Sequence, residues 1–273
     1  MYYGKGSELL SIENKVTVIT GGTRGLGRAI AEEFSKSGAK VVIAARNSIN
    51  GNKVLKELRR ITNDCIFIKA DITKYNQVEN LISAAVDKFG KIDFLINNAA
   101  VFNGIGNSVA DIEIQDWKQI FDVNLNGLFY CTQVAASEMI RQGRGGRIIN
   151  VSSIIGVTGK LNCSSYAATK GAVNSFTRSA AIDLARYGIL VNAIVPGVCN
   201  TEVNASVSIG QRKIQETKIP LGRWAEPEEI AKSVLYLCSD LSTYVTGHLL
   251  IVDGGYLAGK EISEADSALP ELE

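Results

Sequence analysis

Seven short apolar runs, separated by stretches in several of which apolar positions return every three or four places, constrain this chain more than any other feature. The runs are VTVIT (16–20), VVIA (41–44), CIFIK (65–69), FLIN (94–97), RIINV (147–151), LVNAIV (190–195) and LLIV (249–252). Nearly continuous apolar runs of this length, rich in β-branched residues, are the pattern of parallel strands buried on both faces. Between them the period changes. Leu26, Ile30 and Phe34 recur at fours, Val54, Leu55, Leu58 and Ile61 form one helical face, and Val78, Leu81, Ile82, Ala85 and Phe89 form another. Longer helices are expected over 113–140 and 164–187, and a shorter one after Pro227. Strand–helix alternation at this pitch predicts an α/β fold, a doubly wound parallel seven-stranded sheet with right-handed crossovers that put helices on both faces. With 273 residues, four prolines, no internal repeat and no linker rich in Pro, Gly or Ser, a single domain is expected.

Several broad classes are disfavoured. The formal net charge of +1 suggests neither nucleic acid nor an anionic membrane as partner. The densest basic clusters, LRR at 58–60 and RQGRGGR at 141–147, are short and read as solvated surface. No apolar run reaches the ~18 residues a membrane span needs. The opening MYYGKGSELLSIENK lacks the order of a secretory signal, so a cytoplasmic protein is expected. Five cysteines far apart, with no CxxC, read as free thiols. With His248 as the sole histidine, a His-based zinc site and a Ser-His-Asp hydrolase are both disfavoured, and no metal is expected.

The first strand runs into TGGTRGLG, residues 20–27, and then into a helical stretch. Glycines let a backbone approach phosphates closely, and a helix N-terminus offers unpaired N–H groups with a positive dipole. The spacing is Gly21, Gly25, Gly27, not GxGxxG, but its place between first strand and first helix predicts a dinucleotide site. Thr23, Arg24 and Leu26 fall inside that turn. The second strand ends Ala44, Ala45, Arg46, with no carboxylate to hold a ribose 2′-hydroxyl. Arg24 and Arg46 suit a 2′-phosphate instead, through charge-assisted hydrogen bonds. NADP(H) is therefore the preferred cofactor, with NAD(H) as the alternative.

Six motifs now stand in order: TGxxxGxG at 20–27, NNAA at 97–100, VNLNG at 123–127, NVSS at 150–153, YxxxK at 166–170 and VPG at 195–197. Together the chain resembles the short-chain dehydrogenase/reductase family over about residues 14–256, and its final stretch resembles the ordinary-length members. The resemblance implies a Rossmann-type catalytic domain over 14–256, between an N-terminal extension (1–13) and an acidic tail (257–273), and a homo-tetramer. It also implies roles. Tyr166 would be the acid/base, Lys170 its partner, Ser153 the donor to the substrate oxygen, and Asn124 the holder, through its backbone carbonyl, of a relay water. Asp71 and Ile72 would lie near the adenine, Asn98 and Ala99 on the adenosine ribose side, and Thr201, after Pro196, Gly197 and Val198, at the nicotinamide carboxamide. Ala100 departs from the family's usual glycine.

Tyr166 and Lys170, at i and i+4, share a helix face. Reducing a ketone creates an alkoxide that must gain a proton, and a nearby ammonium favours phenolate and lowers the phenol's pKa. The expected activity is hydride transfer between nicotinamide and a small-molecule carbonyl or secondary alcohol. The pattern is similar to 3-oxoacyl-carrier-protein reductases and to sugar dehydrogenases. The segment Val198–Gly222, expected to be a mobile lid, reads as polar, with Arg212, Lys213 and Lys218, and so favours a sugar, polyol, small ketone or acyl thioester over a steroid-sized apolar ligand. Trp224 is expected either to close a pocket wall or to pack in the core. A non-catalytic nucleotide-sensing regulator is the alternative function. Such proteins tend to lose the tyrosine or the lysine, and both are present.

Overall fold

The computed structural model of the chain describes Leu10 and residues 12–259, so the expected acidic tail lies mostly outside the described residues. Seven strands form one sheet: β1 (Val16–Thr20), β2 (Lys40–Ala45), β3 (Cys65–Lys69), β4 (Phe94–Asn97), β5 (Gly146–Val151), β6 (Ile189–Pro196) and β7 (Leu249–Val252). Each coincides with an expected run to within one residue. All pairings are parallel, in the order β3-β2-β1-β4-β5-β6-β7. The winding reverses between β1 and β4, and there the loops leaving the strand ends diverge and open a crevice.

Alternate residues of each strand feed two apolar layers. Ile19, Ile43, Ile96 and Ile194 pack under α1 (Gly25–Lys36), α2 (Ser48–Leu58) and α8 (Pro227–Cys238). Their neighbours Val18, Val42, Leu95 and Val191 pack under α3 (Tyr75–Phe89), α5 (Leu128–Gln142) and α6 (Ser164–Ala185). Phe34, the third member of the every-fourth-residue stripe on α1, is fully buried; its side chain alone contributes on the order of 2–3 kcal/mol. Left-handed glycines, Gly90 and Gly143, end α3 and α5, a conformation that costs residues with a Cβ.

The stretch expected as one helix over 113–140 is three pieces. α4 (Ile114–Phe121) leads into a π-helical turn, Asp122–Gly127, and then into α5. The Asn124 side chain anchors the turn: its Oδ1 accepts from Val101 N at 2.8 Å and its Nδ2 donates to Val101 O at 3.0 Å. A side-chain ladder crosses the sheet below. Asn97 Nδ2 donates to Thr132 Oγ1 and Asn150 Oδ1, both at 2.9 Å, and Asn150 Nδ2 donates to Thr177 Oγ1 at 2.9 Å. Buried amides with partners fix α5, β4, β5 and α6 in one register, because slipping would orphan them. Among the described residues no helix is long and apolar enough to cross a membrane.

Candidate active site

A cleft of about 1130 Å³ runs along the carboxyl ends of the strands. At one end lies the glycine turn. Gly21 holds φ +65°, and a Cβ there would stand 2.9 Å from Ala99 Cα. A Cβ on Gly27 would stand 2.3 Å from both Asn98 Nδ2 and Gly21 O. The crowding has a source: Asn98 Nδ2 donates to Thr20 O at 3.0 Å and Gly21 O at 3.1 Å, while Thr20 Oγ1 accepts from Asn98 N and Ala99 N, both at 3.1 Å. Asn98 thus lines the cleft and also staples the turn to the end of β4. Thr23, Arg24, Gly25 and Leu26 complete that wall. The glycines at 21, 25 and 27 let a dinucleotide pyrophosphate approach the start of α1, although the Glu202 carboxylate stands at the Gly25 N–H and would have to give way to it.

Farther along, Ala44, Ala45, Arg46, Asp71 and Ile72 line the cleft with Asn47 and Asn50. β2 ends without a carboxylate, as read from the sequence. Asp71 is occupied locally, its Oδ1 accepting from Thr73 N at 3.0 Å and Thr73 Oγ1 at 2.9 Å. Arg24 and Arg46 are exposed, and neither is in an ion pair among the described residues. Asn47 and Asn50 were missed by sequence reasoning. Asn47 caps α2 by accepting from Asn50 N at 3.0 Å, an N-cap signal that says nothing about the cleft.

Midway, Ser153, Tyr166 and Lys170 come together. β5 delivers Ser152 and Ser153 at its end, and α6 lays its first turns across that end. Ser153 Oγ accepts from Ile155 N at 3.2 Å, which orients the turn. The Lys170 ammonium nitrogen lies 5.5 Å from the Tyr166 ring centroid and donates to Val151 O at 2.7 Å. Phe102 stacks on Tyr166 at 5.2 Å between centroids, a wall that no spacing in the sequence announced. Burial pushes the Tyr166 phenol above its ordinary range, while interaction with Ser153 favours the ionised form. The same burial draws Lys170 down to about 8. Desolvation thus outweighs the lowering by Ser153, and the lowering expected from the lysine is not among the causes of the shift. Asn124 lies behind this cluster, not on the cleft wall: its Nδ2 approaches Thr169 Oγ1 at 3.5 Å.

Pro196, which ends β6, and Gly197, Val198 and Thr201 after it also line the cleft. From them the chain continues into the lid, which contains α7 (Ile209–Glu216). Toward the cleft the lid mixes apolar and polar side chains, with Asn204, Gln215 and Lys218 on the lining. Arg212 turns away, pairing with Glu216 at 2.8 Å and lying 4.6 Å above the Trp224 ring, whereas Val203, Val207 and Ile214 line the cleft. Trp224 is buried in the core and is not part of the wall. At the lid's base Glu202 Oε2 accepts from Gly25 N at 2.9 Å. Helix α1 has no side-chain cap of its own, so the lid supplies one.

A parallel sheet whose reversal point carries a glycine turn and, beside it, a tyrosine with a lysine defines a nicotinamide-dinucleotide oxidoreductase. Comparison with known proteins agrees. The family described as enoyl-(acyl carrier protein) reductase matches residues 21–257. An L-rhamnose-1-dehydrogenase of Scheffersomyces stipitis is 38% identical over 250 residues, 89% of this chain and 96% of that protein. A 3-oxoacyl-[acyl-carrier-protein] reductase of Aquifex aeolicus is 36% identical over 251 residues, 90% of this chain and 98% of that protein. The crystal structure of a short-chain type dehydrogenase/reductase from Mycobacterium marinum superposes with a TM-score of 0.87 at 33% identity, covering 92% of this chain and 99% of that one. The chain belongs to the short-chain dehydrogenase/reductase family, whose members act on CH–OH and carbonyl groups with NAD(P)(H).

Proposed function

We propose that the protein is an NADP(H)-dependent oxidoreductase interconverting a carbonyl and a secondary alcohol, with Tyr166 as its acid/base. The observation that carries this reading is the meeting of Ser153, Tyr166 and Lys170 in the middle of a cleft whose two ends differ in chemistry. The bound nicotinamide supplies or accepts the hydride. The chain's residues do the rest. Tyr166 gives its phenolic proton to the carbonyl oxygen as that oxygen becomes an alkoxide, and takes it back in the reverse direction. Ser153 Oγ donates to the same oxygen and stabilises the charge that develops there. Lys170, already held at Val151 O, is placed to favour the phenolate that remains. Asn124, on the π-turn, would hold through its backbone carbonyl a water that returns protons to this group; such turns leave carbonyls outside the regular ladder.

The 2′-phosphate preference rests on Arg24 in the glycine turn and Arg46 after β2, with Asp71, Ile72, Asn98 and Ala99 around the adenosine and Thr201 at the carboxamide. The protein would assemble as a homo-tetramer in the cytoplasm; exposed apolar side chains on α4, α5 and α6 (Ile114, Trp117, Phe129 and Ile182) favour self-association. The test is Tyr166→Phe. NADPH affinity, read by fluorescence titration, is expected to hold while kcat falls by about 10²–10⁴-fold; an unchanged kcat would remove Tyr166 from the role.

A further inference from the structure

The cleft beyond Tyr166 is enclosed by loops with a consistent chemistry. Phe102 and Ile105 follow β4, Leu161 precedes α6, and Val203, Val207 and Ile214 come from the lid. Leu161 is 87% exposed and Ile214 is 62% exposed. One exposed apolar side chain is ordinary. Six lining the same cleft, next to the ring that stacks on Tyr166, form a binding wall.

The neutral polar side chains lining the same part of the cleft, Thr158, Asn204, Gln215 and Tyr256, are fewer than the six apolar ones. Asn204 Nδ2 is engaged with Cys199 O at 2.8 Å. Among the described residues lining the whole cleft, Asp71 is the single carboxylate, and it lies after β3 at the adenosine end. A sugar or polyol carries hydroxyls on nearly every carbon, and each one desolvated without a partner weakens binding. Two cations, Lys160 and Lys218, stand on the lining beside the apolar residues, and neither is in an ion pair among the described residues.

We propose that the substrate is a carbonyl compound built on an apolar chain or ring that also bears an anionic group, and that free sugars and polyols are poor substrates. The carbonyl sits at Tyr166, the apolar body lies against Phe102, Leu161 and Ile214, and the anion meets Lys160 and Lys218. This rests on the oxidoreductase reading above but concerns a different part of the cleft, so the two are tested by different readouts.

Binding reads the wall without turnover. Straight-chain carboxylates of about four to about ten carbons, and alkyl phosphates of matched length, are titrated calorimetrically into the NADPH-loaded protein. Affinity is expected to rise about twofold to fourfold per methylene, with Leu161→Asn and Ile214→Asn each flattening the series. The double variant Lys160→Met with Lys218→Met is expected to weaken carboxylates about threefold, while leaving 1-alkanols of equal length unchanged. Added salt should weaken anion binding to the wild type only. The better of the two anion series identifies the headgroup. A series flat in chain length, or an aldose or polyol that binds better than the six-carbon carboxylate, overturns the proposal. Turnover of 2-alkanones, keto acids and aldoses is measured in parallel. A rising binding series with no carbonyl turned over refutes the oxidoreductase reading and leaves the wall intact, whereas turnover with a flat series refutes the wall alone.

Discussion

The Ser152 hydroxyl donates to Asn174 Oδ1 at 2.6 Å, and the Nδ2 of the same amide donates to Gly156 O at 2.9 Å. Asn174 thereby clamps the turn that carries Ser153 against the turn of α6 that carries Lys170. The Ser152 proton is shared with Lys170 O at 3.3 Å, and Gly156 permits the approach, since a Cβ there would stand 2.6 Å from the Lys170 carbonyl carbon. Sequence reasoning passed over Asn174 because a polar residue inside a long helix carries no motif.

Asn174→Ala removes one buried and one partly buried hydrogen bond, so urea denaturation should record a loss of about 1–3 kcal/mol. The Ser153 turn would also loosen relative to Tyr166. A fall in kcat of about tenfold or more, with NADPH affinity nearly unchanged, is the expected signature. Equal kcat in variant and wild type would mean that the clamp serves folding alone.

Lys170 makes stability depend on pH. Burial draws it from an ordinary 10.5 to about 8. Below pH 8 the folded and unfolded chains both hold the proton, and the cost of burying the charge, on the order of 3 kcal/mol, is fully present. Between about 8 and 10.5 the unfolded chain binds the extra proton, so stability rises with pH through this window. Lys170→Met abolishes that rise. The stability of the variant minus that of the wild type should therefore drop by about 3 kcal/mol between pH 7 and pH 10.5 in urea titrations. A difference constant with pH would show that Lys170 is not a buried cation.

Arg46 is argued to meet a 2′-phosphate and nothing else on the cofactor. Arg46→Ala should weaken NADPH by about tenfold to a hundredfold, the range of a charge-assisted hydrogen bond, and leave NADH within about twofold. Equal losses for the two nucleotides in fluorescence titrations would withdraw the 2′-phosphate assignment.

Most of the frame was legible because parallel strands buried on both faces leave unbroken apolar runs, and because α1 repeats Leu26, Ile30 and Phe34 along its buried side. The glycine turn and the Tyr166–Lys170 spacing were legible because each sits on one local element. Features that depend on distant pairs were not. The π-turn at Asp122–Gly127 is held by Asn124 against Val101, more than twenty residues away. Helix α7 did carry a signal, the capping box of Ser208 and Gln211, but it buries no side chain and so has no apolar stripe. The direction of the lid's side chains was also hidden: composition counts Arg212, Lys213 and Lys218 alike, while only the fold takes Arg212 to Glu216 and Trp224 and leaves Lys218 and Ile214 on the cleft. The phenol's raised pKa comes from neighbours that enclose it, a quantity with no representation along the chain.

Every residue on the apolar wall comes from a segment outside the sheet: Phe102 and Ile105 after β4, Leu161 before α6, Ile214 in the lid. The strands below hold the chain together whether or not those side chains are present. Descendants of this protein can therefore acquire a taste for other molecules by rewriting surface segments, one exchange at a time, without passing through unfolded intermediates.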